Sequence, residues 1–122
     1  MSDRILYVDD EEDIREIAVM ALELDPNFVV RDCGSGAEAI EVVAAWAPRL
    51  ILLDLMMPGM DGAATLAALR ARPETAGTPV AFVTARTQRS DTDRLSALGA
   101  CGVIAKPFDP MTLADRVRAL LC

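Results

Sequence analysis

Charged and polar side chains directly follow four apolar segments of the chain. Asp9 and Asp10 come after the first of these segments, Asp54 after the second, Thr84 after the third and Lys106 after the fourth. Carboxylates, a hydroxyl and an amine can bind a metal ion and an anion next to each other. If the fold brings the segment ends together, the sequence predicts metal-assisted chemistry on an anionic group such as a phosphoryl group.

The carboxylates of Asp9, Asp10 and Asp54 need a compensating cation if they lie close together. Like charges about 4 Å apart repel by on the order of 4 kcal/mol at an effective dielectric constant of about 20. Mg²⁺ suits such a site because it is a hard ion that takes oxygen ligands. The chain has no histidine, which excludes histidine acid–base catalysis, a Ser-His-Asp triad and histidine-ligated zinc.

Lysine usage singles out Lys106, the one lysine in a chain with eleven arginines. An ammonium group is a compact, strongly hydrated charge that a planar guanidinium cannot replace without a change of geometry. A lysine kept at a strand end is therefore typical of a tight anion site, where it faces a phosphoryl oxygen.

The segment around Asp54 predicts a buried central strand that leads into a turn. Leu50–Leu53 has no polar alternation, which is typical of a parallel strand covered on both faces. Pro58-Gly59 is a turn signal, and Asp61 is a suitable N-cap for the helix that follows. Asp54 is thus expected where a strand meets its loop, the edge at which open α/β sheets bind ligands.

The other segments alternate between strand and helix patterns. The run 28–33 is more polar and predicts an edge strand, and Ser35 with Glu38 matches a capping box. The fourth helix is expected to bury little beyond Leu95 and Leu98, which predicts weak packing. Asp109-Pro110 predicts the start of the last helix. Helical spacing in the first helix predicts a buried stripe that comprises Ile14, Ile17, Ala18, Ala21 and Leu22.

This alternation, repeated five times, predicts one α/β domain over residues 1–122. We expect a five-stranded, doubly wound parallel sheet of order 2-1-3-4-5 with helices on both faces. In that order the polar groups at the strand ends surround one crevice beside Asp54.

Charge and cysteine content exclude several classes of function. The 19 acidic and 12 basic residues give a formal charge of −7, which argues against direct binding to nucleic acid or to an anionic membrane surface. The apolar runs are too short for a signal peptide or a membrane span, so we expect no membrane insertion. Cys33, Cys101 and Cys122 are best interpreted as reduced thiols of a cytoplasmic protein.

These motifs together resemble the receiver domain of bacterial response regulators over essentially the whole chain. The resemblance implies a flavodoxin-like fold in which Asp54 is the phosphoacceptor. It implies that Asp9, Asp10 and Asp54 bind Mg²⁺ with the Met56 carbonyl, and that Thr84 and Lys106 contact the phosphoryl group. It also implies a cis peptide bond before Pro107. The segments that carry the resemblance are Ile5–Glu11, Leu53–Gly62, Thr84-Ala85, Leu98–Ala100 and Lys106–Phe108.

The implied function is a switch that promotes its own phosphorylation and dephosphorylation rather than an enzyme. A sensor histidine kinase or a histidine phosphotransfer protein would donate the phosphoryl group, since this chain has no histidine. The last two helices and the strand between them would then signal to a downstream protein. We predict a stand-alone, chemotaxis-regulator-like receiver without an output domain.

One departure from the family pattern leaves alternatives open. Receivers commonly carry an aromatic residue three positions before the site lysine, where this chain has Val103. A degenerate receiver that only binds partners is therefore an alternative. A Mg²⁺-dependent phosphohydrolase of the haloacid dehalogenase type is a weaker one, because that family has a second Asp two positions after the first and Met56 occupies that place.

Overall fold

The computed structural model describes residues 2–121, in which five strands alternate with five helices. The strands are Asp3–Val8 (β1), Phe28–Cys33 (β2), Leu50–Asp54 (β3), Val80–Thr84 (β4) and Gly102–Ala105 (β5). The helices are Glu12–Leu22 (α1), Gly36–Trp46 (α2), Gly62–Arg70 (α3), Arg89–Ala97 (α4) and Leu113–Leu121 (α5).

The strands form one parallel sheet in the order β2-β1-β3-β4-β5, which confirms the predicted topology. The register places Val8 opposite Leu53 and Thr84 opposite Ala105. Four neighbouring strands therefore end at nearly the same level, and the residues that follow them meet at one edge of the sheet.

Apolar side chains alternate between the two faces of the sheet and form two cores. Tyr7 and Leu52 pack on the face that α1 and α5 cover. Leu6, Leu53 and Phe82 pack on the opposite face, against α2, α3 and α4. Every residue of β3 and β4 is buried, as expected for central strands of a doubly wound sheet.

Side-chain caps fix the starts of α2 and α3, two of the helices on the second face. Asp61 accepts a hydrogen bond from the backbone N–H of Ala64 at 2.8 Å, as predicted for an N-cap. Ser35 accepts one from Glu38 at 3.1 Å, which is half of the predicted capping box. These caps fix the direction in which α2 and α3 leave the loops that precede them.

Three sequence predictions are wrong in detail. Ile17 and Leu98 were expected in the core but are 44% and 47% exposed. Helical spacing predicts the face that a residue occupies, but it does not predict how far the covering elements extend along that face. The last helix begins at Leu113 rather than at Pro110, because residues 110–112 form a turn in which the Asp109 carboxylate accepts from the Met111 N–H at 2.9 Å.

The described residues also bear on the membrane and thiol predictions. Within residues 2–121, no helix has both the length and the apolar character that a membrane crossing requires. Cys33 is buried, Cys101 is exposed, and both are free thiols. Cys122, the third predicted thiol, lies outside the described residues.

Candidate functional site

The carboxyl edge of the sheet brings together the side chains that the sequence singled out. Asp9 and Asp10 directly follow β1, Asp54 is the last residue of β3, Thr84 ends β4, and Lys106 follows β5. Because β1, β3, β4 and β5 are neighbours in this order, the site needs no long loop to assemble it. The backbone of the sheet fixes its positions.

Three carboxylates at this edge form an acidic cluster. One oxygen from each of Asp9, Asp10 and Asp54 lies within 4.8 Å of the others. Asp9 and Asp54 are buried, with 0% and 4% of their surface exposed, whereas Asp10 is exposed. The cluster therefore has two fixed ligands inside the protein and one facing the solvent.

Lys106 places its ammonium group between the two buried carboxylates. Its Nζ lies 2.7 Å from Asp9 Oδ2 and 3.5 Å from Asp54 Oδ2. The peptide bond between Lys106 and Pro107 is cis, as the family resemblance implied. A single positive charge thus bridges two buried negative charges and leaves the cluster with an excess of negative charge.

Burial and this excess of negative charge both change the protonation equilibria of the site. Burial, followed by the negative charge of Asp9, raises the pKa of Asp54 to about 6, although Lys106 opposes the shift. Burial alone would lower the pKa of Lys106, but its hydrogen bond to Asp9 and the charges of Asp54 and Asp9 outweigh this and raise it. The ammonium group stays charged, and the metal-free cluster carries an unfavourable charge on Asp54.

The backbone around Asp9 is held by contacts that the sequence reasoning missed. Arg15 Nη1 donates to the main-chain carbonyl of Asp9 at 2.9 Å, and Arg15 Nε pairs with Asp32 at 3.0 Å. The N–H of Glu11 donates to Asp9 Oδ1 at 2.9 Å. A bond to a main-chain carbonyl leaves no side-chain pattern in a sequence, so only the geometry identifies Arg15.

The buried hydroxyl of Tyr7 is a second group that sequence reasoning did not assign to the site. It donates to Asp9 Oδ2 over 3.3 Å. One signal could have found it, because residues two apart on a strand point to the same face, and Tyr7 precedes Asp9 by two.

Thr84 lies at the same edge but makes a different contact. Its hydroxyl accepts a hydrogen bond from the N–H of Arg86 at 3.0 Å, and its carbonyl accepts from the N–H of Lys106 at 2.9 Å. Thr84 therefore fixes the loop after β4 and joins it to the end of β5. In this state the Thr84 hydroxyl is hydrogen-bonded to the backbone of the loop and not to a carboxylate of the site.

The loop after Asp54 closes the other side of the site. The Met56 N–H donates to Asp54 Oδ1 at 3.4 Å, and the Met56 side chain is largely exposed. A Cβ atom on Gly62 would lie 2.5 Å from the Asp54 carbonyl oxygen, which is closer than real contacts allow. A residue without a side chain is needed there so that α3 can start beside the strand end.

Val103, where the chain departs from the receiver pattern, lies on the face between α4 and β5. Val103 is half-buried and packs against the core on the side of α4. It lines a shallow depression of about 380 Å³ together with Thr92, Ser96 and Cys101. The face predicted to signal therefore presents a small aliphatic side chain and an open depression.

Taken together, the edge offers hard oxygen ligands beside a buried amine. Carboxylate oxygens suit a divalent cation such as Mg²⁺, and a fixed ammonium suits an oxyanion. Asp54 Oδ2 lies 3.5 Å from the Lys106 ammonium, which places a nucleophilic carboxylate oxygen beside a positive charge. The arrangement can support transfer of a phosphoryl group to a carboxylate.

A comparison with protein families matches residues 5–118 to the response regulator receiver domain. Among curated proteins, the chain is 44% identical over 119 residues to the transcriptional regulatory protein YvrH of Bacillus subtilis, covering 96% of this chain and 48% of YvrH. It is 39% identical over 121 residues to the DNA-binding response regulator MtrA of Mycobacterium tuberculosis, covering 99% of this chain and 51% of MtrA. The chain therefore spans about half the length of these relatives.

Solved structures show the same architecture. The chemotaxis response regulator CheY4 of Vibrio cholerae superposes with a TM-score of 0.89 at 28% identity, covering 98% of this chain and 99% of that one. The receiver domain of the NarL response regulator from Mycobacterium tuberculosis superposes with a TM-score of 0.86 at 31% identity, covering 98% and 96% of the two chains.

Proposed function

Since the chain belongs to the response regulator receiver family, we propose that it is a phosphorylation switch that accepts a phosphoryl group on Asp54. Receiver domains act in two-component systems, where histidine kinases phosphorylate response regulators. The observation that carries the proposal is the buried Asp54 carboxylate at the end of the central strand, with its Oδ2 3.5 Å from the ammonium of Lys106.

The proposed reaction moves a phosphoryl group from a phosphohistidine of another protein to Asp54. An Asp54 oxygen attacks phosphorus, the new phosphorus–oxygen bond forms as the phosphorus–nitrogen bond breaks, and the donor imidazole leaves. Such transfers depend on positioning and on stabilising charge. The N–H of Met56 and the ammonium of Lys106 face the two carboxylate oxygens, so Asp54 is oriented before a donor binds.

The residues present fit a magnesium ion. One oxygen from each of Asp9, Asp10 and Asp54 lies within 4.8 Å of the others. Burial, then the charge of Asp9, raises the pKa of Asp54 despite Lys106, so the lysine alone does not offset the cost of the ionised carboxylate. These three carboxylates would hold the ion, and the Met56 carbonyl is the fourth proposed ligand. When bound, Mg²⁺ supplies positive charge to the oxygens of the transferred group.

Lys106 and Thr84 would respond to the new group on Asp54. Lys106 already lies near Asp54, so a small movement of its ammonium from Asp9 would pair it with a phosphoryl oxygen. Thr84 would exchange its bond with the Arg86 N–H for one to the phosphoryl group. Because that bond fixes the loop before α4, the exchange would release the loop and shift the populations of its conformations.

The signal would leave through α4, β5 and α5. Only Leu95 of α4 is buried, so few apolar contacts oppose a displacement of this helix. Val103 lacks the ring that the family commonly moves, and we therefore assign the transmission to the Thr84 loop. The partner that reads this face would be a downstream protein.

The donor and the domain organisation are further parts of the proposal. A sensor histidine kinase or a histidine phosphotransfer protein would phosphorylate Asp54. The curated relatives are named as DNA-binding or transcriptional regulators and are about twice as long. The assignment of residues 1–122 to one receiver domain that acts alone through protein contacts stays a prediction.

The test is the intact mass of the protein after incubation with acetyl phosphate, with and without Mg²⁺. We expect a gain of one phosphoryl group that requires Mg²⁺ and is absent in Asp54→Asn. Asp61→Asn is the matched control, because it removes a carboxylate from the same loop while asparagine still caps α3.

The outcomes separate the candidate functions. A gain that persists in Asp54→Asn would assign the phosphoacceptor to another residue. No gain in the wild type, together with no binding of beryllofluoride, would leave the degenerate receiver as the better description. A phosphohydrolase would instead release phosphate continuously, although Met56 occupies the position at which that class has its second Asp.

A further inference from the structure

Tyr7 is a buried titratable residue beneath the site that the proposed reaction does not use. Its side chain is fully buried in the core that α1 and α5 cover, and its hydroxyl reaches the Asp9 carboxylate. Its ring packs edge-on against Phe108 at a centroid distance of 6.3 Å. A phenylalanine would make the same ring contact, so packing alone does not explain the hydroxyl group.

The Tyr7 hydroxyl and the Lys106 ammonium share one oxygen atom. Asp9 Oδ2 accepts from Lys106 at 2.7 Å and from Tyr7 at 3.3 Å. The tyrosine bond is long for an O–H···O contact, whereas the lysine bond has the length of a strong charge-assisted one. In the resting state the lysine is therefore the main donor to this oxygen, and the tyrosine is a weaker second donor.

Phosphorylation of Asp54 would change which side chain is the main hydrogen-bond donor to Asp9 Oδ2. When Lys106 turns to a phosphoryl oxygen on Asp54, a fully buried Asp9 oxygen loses its closest donor. A buried carboxylate oxygen that keeps only a long, weak hydrogen bond is costly, which would hold Lys106 back unless that remaining bond shortens. Tyr7 is the other side chain that donates to this oxygen. Burial and the charges of Asp9 and Asp54 raise the pKa of Tyr7 far above its ordinary value, so its hydroxyl keeps its proton.

We propose that Tyr7 is a positioning residue whose hydroxyl replaces Lys106 as the donor to Asp9 when the lysine moves to the phosphoryl group. This inference rests on the proposed function of Asp54 and adds a residue to it. Tyr7 does not touch the phosphoryl group. It acts through Asp9 by making the transfer of the lysine less costly.

The first test follows the hydroxyl itself. Tyr7 is the single tyrosine of the chain, so its ring carbon bonded to oxygen gives one assignable signal in a ¹³C-labelled protein. We expect a small change with Mg²⁺ alone and a larger one when beryllofluoride is added with Mg²⁺, because the hydrogen bond to Asp9 shortens. A signal that stays unchanged with beryllofluoride bound would overturn the proposal.

The second test compares Tyr7→Phe with Tyr7→Leu. Tyr7→Phe removes one oxygen atom and keeps the ring contact with Phe108. We expect it to lower the rate of phosphorylation by saturating acetyl phosphate about three- to tenfold, the size of one ordinary net hydrogen bond, because the resting contact of Tyr7 is a weak one. Its Mg²⁺ affinity in calorimetric titration should stay within about twofold, because Lys106 still holds Asp9 before the reaction.

The Tyr7→Leu variant separates a role of the hydroxyl from a role in packing. If the hydroxyl matters, Tyr7→Phe already shows the full loss of rate, and Tyr7→Leu only adds a lower melting temperature. A Tyr7→Phe protein that reacts at the wild-type rate, or that loses Mg²⁺ affinity as much as rate, contradicts the proposal. A wild type that is not phosphorylated contradicts the function of Asp54 instead, so the two failures are distinguishable.

Discussion

The two ends of the parallel sheet differ in how their charged side chains are paired. At the carboxyl edge, buried Asp54 shares the single ammonium of Lys106 with another carboxylate. At the amino edge, the Arg118 guanidinium contacts Asp3 at 2.6 Å and Asp25 at 2.8 Å. The strand β1 begins at one of these edges and ends at the other. One edge crowds like charges together, and the other pairs opposite charges.

The pKa shifts at the two edges have opposite signs. A hydrogen bond from Arg118, then one from Arg49, lowers the pKa of Asp3. The backbone N–H of Asn27, then Arg118, lowers the pKa of Asp25. The pKa of Asp54 is raised to about 6. Ionised Asp3 and Asp25 therefore stabilise the fold at the amino edge, whereas ionised Asp54 destabilises it at the carboxyl edge, where the proposed reaction needs reactive charge.

The largest effect is expected for Asp54→Asn, which removes the unfavourable charge. The pKa of about 6 lies well above the ordinary 3.8, so ionised Asp54 costs up to about 3 kcal/mol at neutral pH. We expect the metal-free variant to be more stable than the wild type by about 1–3 kcal/mol in urea unfolding with EDTA at pH 7. Asp61→Asn should unfold like the wild type. If Asp54→Asn were less stable than the wild type, the charge of Asp54 would not destabilise the folded protein.

The dependence of stability on pH should differ between the two edges. Between about pH 4 and pH 6, the folded state binds the Asp54 proton more tightly than the unfolded state, so this group adds stability as pH falls. Below about pH 4, Asp3 and Asp25 become protonated and their pairing with Arg118 is lost, so stability falls. We expect a maximum near pH 4–5 in metal-free urea titrations. The rise between pH 6 and pH 4 should be absent in Asp54→Asn.

The carboxyl edge was largely predictable from the sequence, whereas the amino edge was not. Asp54, Thr84 and Lys106 each follow an apolar strand, and parallel order alone brings strand ends together. The pairs of Arg118 join residues 93 and 115 positions apart, and no local pattern predicts which arginine reaches which aspartate.

Details within the site also depend on packing that the sequence does not encode locally. In the sequence, Tyr7 resembles an ordinary core residue of an apolar strand, so its hydroxyl is not predicted at the site. The bond of Thr84 to the Arg86 N–H is a local turn contact, but the proposed exchange of that bond for one to a phosphoryl group on Asp54 depends on the neighbouring strand β3. Ile17 and Leu98 show the converse, because helical spacing indicated burial that the neighbouring elements do not provide.

Mg²⁺ should reduce the electrostatic difference between the two edges, because it compensates the negative charge of the acidic cluster. An ion at ten times its dissociation constant stabilises a folded protein by about 1.4 kcal/mol. We expect millimolar MgCl₂ to raise the melting temperature of the wild type at pH 7, and to raise that of Asp54→Asn less, because one of its ligands is gone. NaCl at matched ionic strength is the control. An equal shift with both salts would contradict specific binding.

The smallest effect is expected from the amino edge, where solvent screens the charges. The Arg118 side chain is 35% exposed and also lies over the Phe28 ring, with 4.4 Å between its guanidinium carbon and the ring centroid. Arg118→Met keeps much of the apolar stem but leaves Asp3 and Asp25 without this guanidinium, so the melting temperature should fall.

Arg89→Gln is the control, because its 3.9 Å pair with Asp93 is largely exposed. Its melting temperature should stay within about 2 °C of the wild type. High salt should narrow the gap between Arg118→Met and the wild type. If both arginine variants melted alike, the pairing at the amino edge would contribute no more than an ordinary surface salt bridge, and the contrast between the edges would rest on Asp54 alone.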